Sequence, residues 1–158
     1  METTATQVHL TRIFDAPRSL VFKAWTDQKH LERWFAPQGS CVQFKQLDIR
    51  AGGTFLYSIR NTKAQTWSCT GEYKTITAPD LIEYTLVISD EHGNPISSAD
   101  AGMDAEWPTT TTVTITLSEH NGRTTLTLQQ TAPAEIATRC GAVPGWNSML
   151  EKLAQSLG

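Results

Sequence analysis

The sequence is short of everything that would mark it for a membrane, for nucleic acid or for an oxidising compartment. No apolar run approaches the ~20 residues a helix needs to cross a bilayer. Met1 to Gln7 is polar and carries Glu2, so it does not read as a basic segment leading into an apolar one. There is no basic excess: 13 Lys and Arg stand against 16 Asp and Glu, for a net charge of −3 and a pI near 5.8. A duplex-binding surface needs clustered cations to displace counterions, so nucleic acid is not an expected partner. The densest basic group, Lys23, Lys29 and Arg33, is interleaved with Asp27 and Glu32 and reads as a solvated helix face.

Chemistry-bearing residues are equally sparse. The three cysteines, Cys41, Cys69 and Cys140, are odd in number and far apart. They fit reduced thiols in a cytoplasm, used as small buried hydrophobes, better than a disulfide frame. His9, His30, His92 and His120 are scattered without metal-ligand spacing, so no metal or cofactor is expected. There is no G-x-S-x-G, and no cysteine has a histidine partner evident in the sequence. Glu72 falls out of phase with its apolar neighbours, Asp48 pairs naturally with Arg50 beside a turn, and Glu106 precedes Trp107-Pro108 near the end of a loop. No two carboxylates form a convincing acid–base pair. No repeat, low-complexity tract or linker divides the chain. A single domain over residues 1–158 is expected, with residues 1–7 as a flexible lead.

What is present is clear periodicity. Val8 to Phe14 reads as a strand, stopped by Asp15-Ala16-Pro17; Asp15 is placed to cap a short helix from Arg18 to Trp25. Thr26-Asp27 starts a second short helix, ending near Trp34 before Pro37 and Gly39. Period-two alternation follows: Val42 and Phe44; Phe55, Tyr57 and Ile59 after the Gly52-Gly53 turn; Trp67, Cys69, Gly71 and Tyr73; Ile82, Tyr84, Leu86 and Ile88. After a long loop, Ser89 to Pro108, the pattern resumes with Val113, Ile115 and Leu117. It then turns at Asn121-Gly122 and continues with Thr124, Leu126, Leu128 and Gln130. From Ala134 to Leu157 the spacing becomes helical, interrupted by Gly141, Pro144 and Gly145; the main helix is expected from about Pro144. The result is an α+β chain with a curved antiparallel sheet of six to seven strands gripping one long C-terminal helix. One helix is about 10 Å across, too narrow to cover such a sheet, so the geometry leaves room for a cavity.

Four motifs now resemble a known family. They are Phe14-Asp15-Ala16-Pro17 with Val21-Phe22; Ala24-Trp25-Thr26-Asp27 with Trp34-Phe35; Asp48 to Phe55; and Gly145-Trp146 with Leu150, Leu153 and Leu157. In this order they resemble the START-like, birch-pollen-allergen-like (SRPBCC) superfamily. Within it they are similar to the family named for the C-terminal domain of the activator of the heat-shock protein 90 ATPase. The resemblance runs from about residue 8 to the end. It implies a helix-grip fold with a deep pocket, in a family that includes presumed lipid or metabolite binders, aromatase and cyclase-like proteins and the chaperone activator itself. The eukaryotic activator carries a further N-terminal domain that makes much of its chaperone contact. This chain opens directly on the grip-fold strand, so the resemblance implies chaperone contact less strongly than a pocket.

The candidate pocket residues are the aromatics Trp34, Phe44, Phe55, Tyr57, Trp67, Tyr84, Trp107 and Trp146, with Leu86, Val113, Ile115, Met149 and Leu150 beside them. Each would equally serve as plain core. Gln130 shares a face with Leu126 and Leu128; it either points inward and needs partners or exits at the sheet edge. The loop carrying Met103 and Trp107 reads as a lid over the cavity mouth, as a homodimer contact or as a surface loop. Three functions remain open: binding of a small hydrophobic ligand, a cyclase, dehydratase or hydrolase using the same pocket, and co-regulation of a chaperone ATPase.

Overall fold

The computed structural model describes residues 7–63, 65–101, 104–140 and 142–157, without the side chains of Arg139 and Cys140. The chain runs β1 (Gln7–Phe14), α1 (Arg18–Thr26), α2 (Gln28–Trp34), β2 (Cys41–Leu47), β3 (Thr54–Arg60), β4 (Thr66–Thr77) and β5 (Leu81–Ser89). It continues with β6 (Thr110–His120), β7 (Arg123–Pro133), α3 (Ala134–Cys140) and α4 (Ala142–Leu157). All seven strands form one antiparallel sheet in the order β1-β7-β6-β5-β4-β3-β2. Every connection from β2 to β7 joins sheet neighbours, as consecutive alternating runs demand; β1 closes onto β7 and leaves β1 and β2 as edges. This is the α+β helix-grip architecture expected from the pattern.

Turn chemistry sets the registers. Asn121 and Gly122 both have positive φ, 54° and 77°, the conformation a two-residue hairpin requires to match strand twist. Irregularities at Gln7/Val8, Phe44/Gln46 and Tyr73/Thr75 interrupt the ladders. Such bulges bend a strand and increase its twist, which curves the sheet around α4.

The core lies between the concave face and the helices. Along β6 and β7, Val113, Ile115, Leu117, Leu126 and Leu128 are buried, as are Leu150 and Leu153 of α4. At this end the space is filled. Seven strands span about 29 Å at ~4.8 Å each, and α4 cannot cover them all. The other end, β3 to β5, is met instead by α2, the segment after it, and the β5–β6 loop.

Several local expectations change. Gln7 belongs to β1 rather than to a flexible lead; residues 1–6 lie outside the described residues. Asp15 does not cap α1: its N-cap is Pro17, without a side-chain cap, and the Arg18 N–H donates to Glu119 Oε1 of β6 at 2.7 Å. Asp27 does cap α2, accepting from the His30 N–H at 3.2 Å. α4 begins at Ala142, two residues before Pro144. A proline within the first turn costs no hydrogen bond, because those N–H groups have no intrahelical acceptor. Gly141, where a break was expected, lies outside the described residues. Cys41 is exposed on edge strand β2 and not a buried hydrophobe, whereas Cys69 is buried. The side chain of Cys140 is not described.

Candidate functional site

Two spaces open at the under-covered end of the sheet. The larger, about 790 Å³, lies between the concave face of β3 to β5, the N-terminal half of α4, and the β5–β6 loop. The smaller, about 20 Å³, lies deeper, among Trp25, Leu31, Phe44, Phe55, Tyr73, Ile82 and Tyr84. Phe35 and Tyr57 line both spaces and stand edge to face, 5.4 Å between centroids, so they form the partition.

The partition is anchored from behind. Trp34, just ahead of Phe35, packs against Trp25 at 4.5 Å, and its Nε1–H donates to the Ala24 carbonyl at 3.0 Å. Lys152 of α4 donates to the Ala36 carbonyl at 2.9 Å, and the Gln38 N–H donates to Ser148 Oγ at 2.7 Å. The segment after α2 is thereby held against α4, with Phe35 6.3 Å from the Trp146 ring. Burial lowers the Lys152 ammonium pKa, while a nearby Cys41 opposes that shift.

The walls of the outer cavity are mainly aromatic and aliphatic, with Trp67, Trp107, Trp146, Ile59, Leu86, Ile88 and Met149 alongside Phe35 and Tyr57. Its polar groups are few. Gln130 and Thr111 are each only 2% exposed. Gln130 accepts from Trp146 Nε1 at 2.9 Å and donates to Thr111 Oγ1 at 3.0 Å. Gln65, Thr66, Asp104 and Cys69 complete the polar rim.

Cys69 and Tyr57 face each other across the β3–β4 ladder, so their side chains are neighbours in the wall. Burial pushes the Cys69 thiol up to about 11, partly offset by the neighbouring Tyr57 hydroxyl, so it is a thiol and not a thiolate at neutral pH. Burial also raises Tyr57 and Tyr84 well above the usual phenol range, with smaller contributions from neighbouring ionisable groups. The Tyr84 hydroxyl and Trp25 Nε1 are buried and have no hydrogen-bond partner among the described residues.

The long loop is ordered by its own turns. Asp90 accepts from the backbone N–H groups of His92 and Asn94 at 2.8 and 2.9 Å, and Ile96 N–H returns to the Ile88 carbonyl. Buried Ser98 donates to the Trp107 carbonyl, closing the second half of the loop over the cavity, where Ala101, Asp104 and Trp107 line it.

Of the residues singled out by pattern, Tyr57, Trp67, Leu86, Trp107, Gln130, Trp146 and Met149 meet at the outer cavity. Phe44, Phe55 and Tyr84 border the inner one. Trp34, Val113, Ile115 and Leu150 line neither: Trp34 is locked between α1 and α2, and the other three lie where α4 already fills the sheet. Gln130 is enclosed rather than leaving at the sheet edge. Met103 lies outside the described residues. Glu106 is exposed and not part of the wall, and Asp48 forms its ion pair with Arg50 at 2.8 Å. Pattern reading missed Phe35, Cys69 as a wall residue, and Thr111. Thr111 was findable, since it is in phase with Val113 and Ile115. Among the described residues no three His, Cys, Asp or Glu side chains gather as a metal site, and no helix is long and apolar enough to cross a membrane.

Solved structures share this arrangement. A Staphylococcus epidermidis protein is 29% identical, with a TM-score of 0.78 over 99% of this chain and 92% of its own. A Chromobacterium violaceum protein is 25% identical, with a TM-score of 0.80 over 96% of each chain. An AHSA1 protein from Silicibacter pomeroyi, 21% identical, shares the fold with a TM-score of 0.74 over 96% of this chain and 97% of its own. No curated protein matches the sequence. The model of one family matches residues 15–158, from the residue after β1 through α4, and so takes in all the residues that wall both spaces. On that match the chain belongs to the family described as Activator of Hsp90 ATPase homolog 1-like protein, within the START-like superfamily.

Proposed function

We propose that this protein binds a small, largely apolar molecule in the outer cavity, without transforming it. The observation that carries this reading is the cavity itself: about 790 Å³, walled by aromatic rings and aliphatic side chains, with a few convergent polar groups. A ligand burying about 300 Å² of apolar surface there would gain about 7 kcal/mol before the costs of association. Two titratable groups of the wall, Tyr57 and Cys69, favour binding over catalysis. Tyr57 and Cys69 are held protonated by burial, so neither serves as a base or nucleophile at neutral pH. The exposed Cys41 thiol suits a reducing cytoplasm.

Native mass spectrometry after gentle purification, with thermal unfolding in the presence of an apolar fluorescent probe, tests this reading. A retained small molecule, or a melting temperature that rises with probe concentration, is expected. A protein that carries nothing and takes up no apolar probe would overturn it. A second reading, co-regulation of an Hsp90-type chaperone ATPase through a surface, rests on the family description. Stimulation of the cognate ATPase would support it, and absence of any complex in pull-downs would remove it.

A further inference from the structure

We infer that the cavity selects a neutral ligand carrying a carbonyl-type oxygen, held by Thr111 and Gln130; this rests on the binding reading above. The argument begins at Trp146. An indole N–H can only donate, so the Gln130 oxygen must face it and the Gln130 –NH₂ must face Thr111. Thr111 Oγ1 is therefore an acceptor in this chain, and its own hydrogen is left to donate. The second hydrogen on Gln130 Nε2 is likewise unspent. Among the described residues neither hydrogen has an acceptor. Both side chains are only 2% exposed and line the cavity.

Two buried donors converging from one hydrogen-bonded chain call for an oxygen with two lone pairs. The bonds run in one direction, from Trp146 through Gln130 to Thr111, and successive bonds polarise the last donor. A ligand oxygen can take both donors at once, whereas a ligand offering only a donor is left with the remaining lone pairs of Thr111 Oγ1 and Gln130 Oε1 and leaves both hydrogens unpaired. No Lys, Arg or His side chain is among the described wall residues, so none of these offers a carboxylate a counter-charge. The rings of Tyr57, Trp67, Trp107 and Trp146 suit a flat, apolar body. Ketones, quinones and lactones of fused-ring skeletons meet these demands.

The test uses calorimetric titration of the full chain with three probes of one shape: fluorenone, fluorene and fluorene-9-carboxylate. Fluorenone should bind about tenfold more tightly than fluorene, the value of one to two net hydrogen bonds. Thr111→Val should bring the two within about twofold, and Thr111→Ser, which keeps the hydroxyl, should restore the preference. Equal binding of fluorenone and fluorene by the unaltered protein, or tighter binding of the carboxylate, overturns this inference and leaves the cavity as a binding site. Binding of none of the three overturns both readings. A preference that survives in Thr111→Val assigns the oxygen elsewhere and overturns the role of Thr111.

Discussion

Gly71 shows how one missing side chain shapes the site. It faces Phe55 across the β3–β4 ladder. A Cβ added there would lie 1.9 Å from the Thr85 carbonyl oxygen and 2.6 Å from Phe55 Cζ. The phenyl ring lies against the bare backbone of Gly71, so Phe55 keeps its contact with Tyr57 at 5.9 Å and Tyr84 at 5.7 Å. Gly71→Ala should lower stability by about 3 kcal/mol, since backbone cannot yield as a side chain can. Urea unfolding checks this, and a loss below about 0.5 kcal/mol would mean that the two strands separate freely. Alternation put Gly71, Tyr57, Trp67 and Gln130 on the inner face, because a strand's face is written in its period. Other wall residues left a weaker trace or none. Phe35 follows the last turn of a helix, where no period applies. Thr111 sits in a run of four threonines whose polarity is the same on both faces.

At the scale of elements, α4 serves two environments. Leu150 and Leu153 fill the closed end of the sheet, while Trp146 and Met149 border the cavity. The apolar stripe that announced this helix does not distinguish them. Period reports which face of a helix is buried, whereas the opposing filled core or open space depends on the curvature of a sheet built from distant residues. For the same reason Val113, Ile115 and Leu150 were expected in the wall and are core. The difference is measurable. Leu153→Ala opens a void in packed surroundings and should cost about 3 kcal/mol. Met149→Ala enlarges a space that already exists, keeps less of the cavity penalty, and should cost about 1 kcal/mol. Denaturant unfolding of both variants decides it: equal losses would mean that the outer cavity is filled in solution.

The whole molecule buries all three of its tyrosines, Tyr57, Tyr73 and Tyr84, and most of its acid–base behaviour at high pH follows from that. The order of elements made the helix-grip sheet legible, because hairpin-linked strands can only be neighbours. The clustering of the tyrosines at one end was not legible, since they come from three strands joined only through register. Burial raises all three phenols, and Tyr73, with its ring 5.9 Å from that of Tyr84, raises Tyr84 further. Burial also raises Cys69 from 9.0 to about 11. These groups ionise more readily in the unfolded chain than in the folded one. Their contribution is therefore fully present below pH 9 and is lost as pH rises toward and beyond 11. Each group ionised only when unfolded removes about 1.4 kcal/mol per pH unit, first through Cys69 and then through the phenols. The expected titration is cooperative: phenolate absorbance stays flat past the ordinary phenol range, then rises for all three tyrosines together as the circular dichroism of the sheet collapses. Cys69→Ala should delay the onset of that collapse. Phenolate forming gradually near pH 10 while the dichroism holds would show that water already reaches the tyrosine cluster, and that the chamber behind Phe35 and Tyr57 is open.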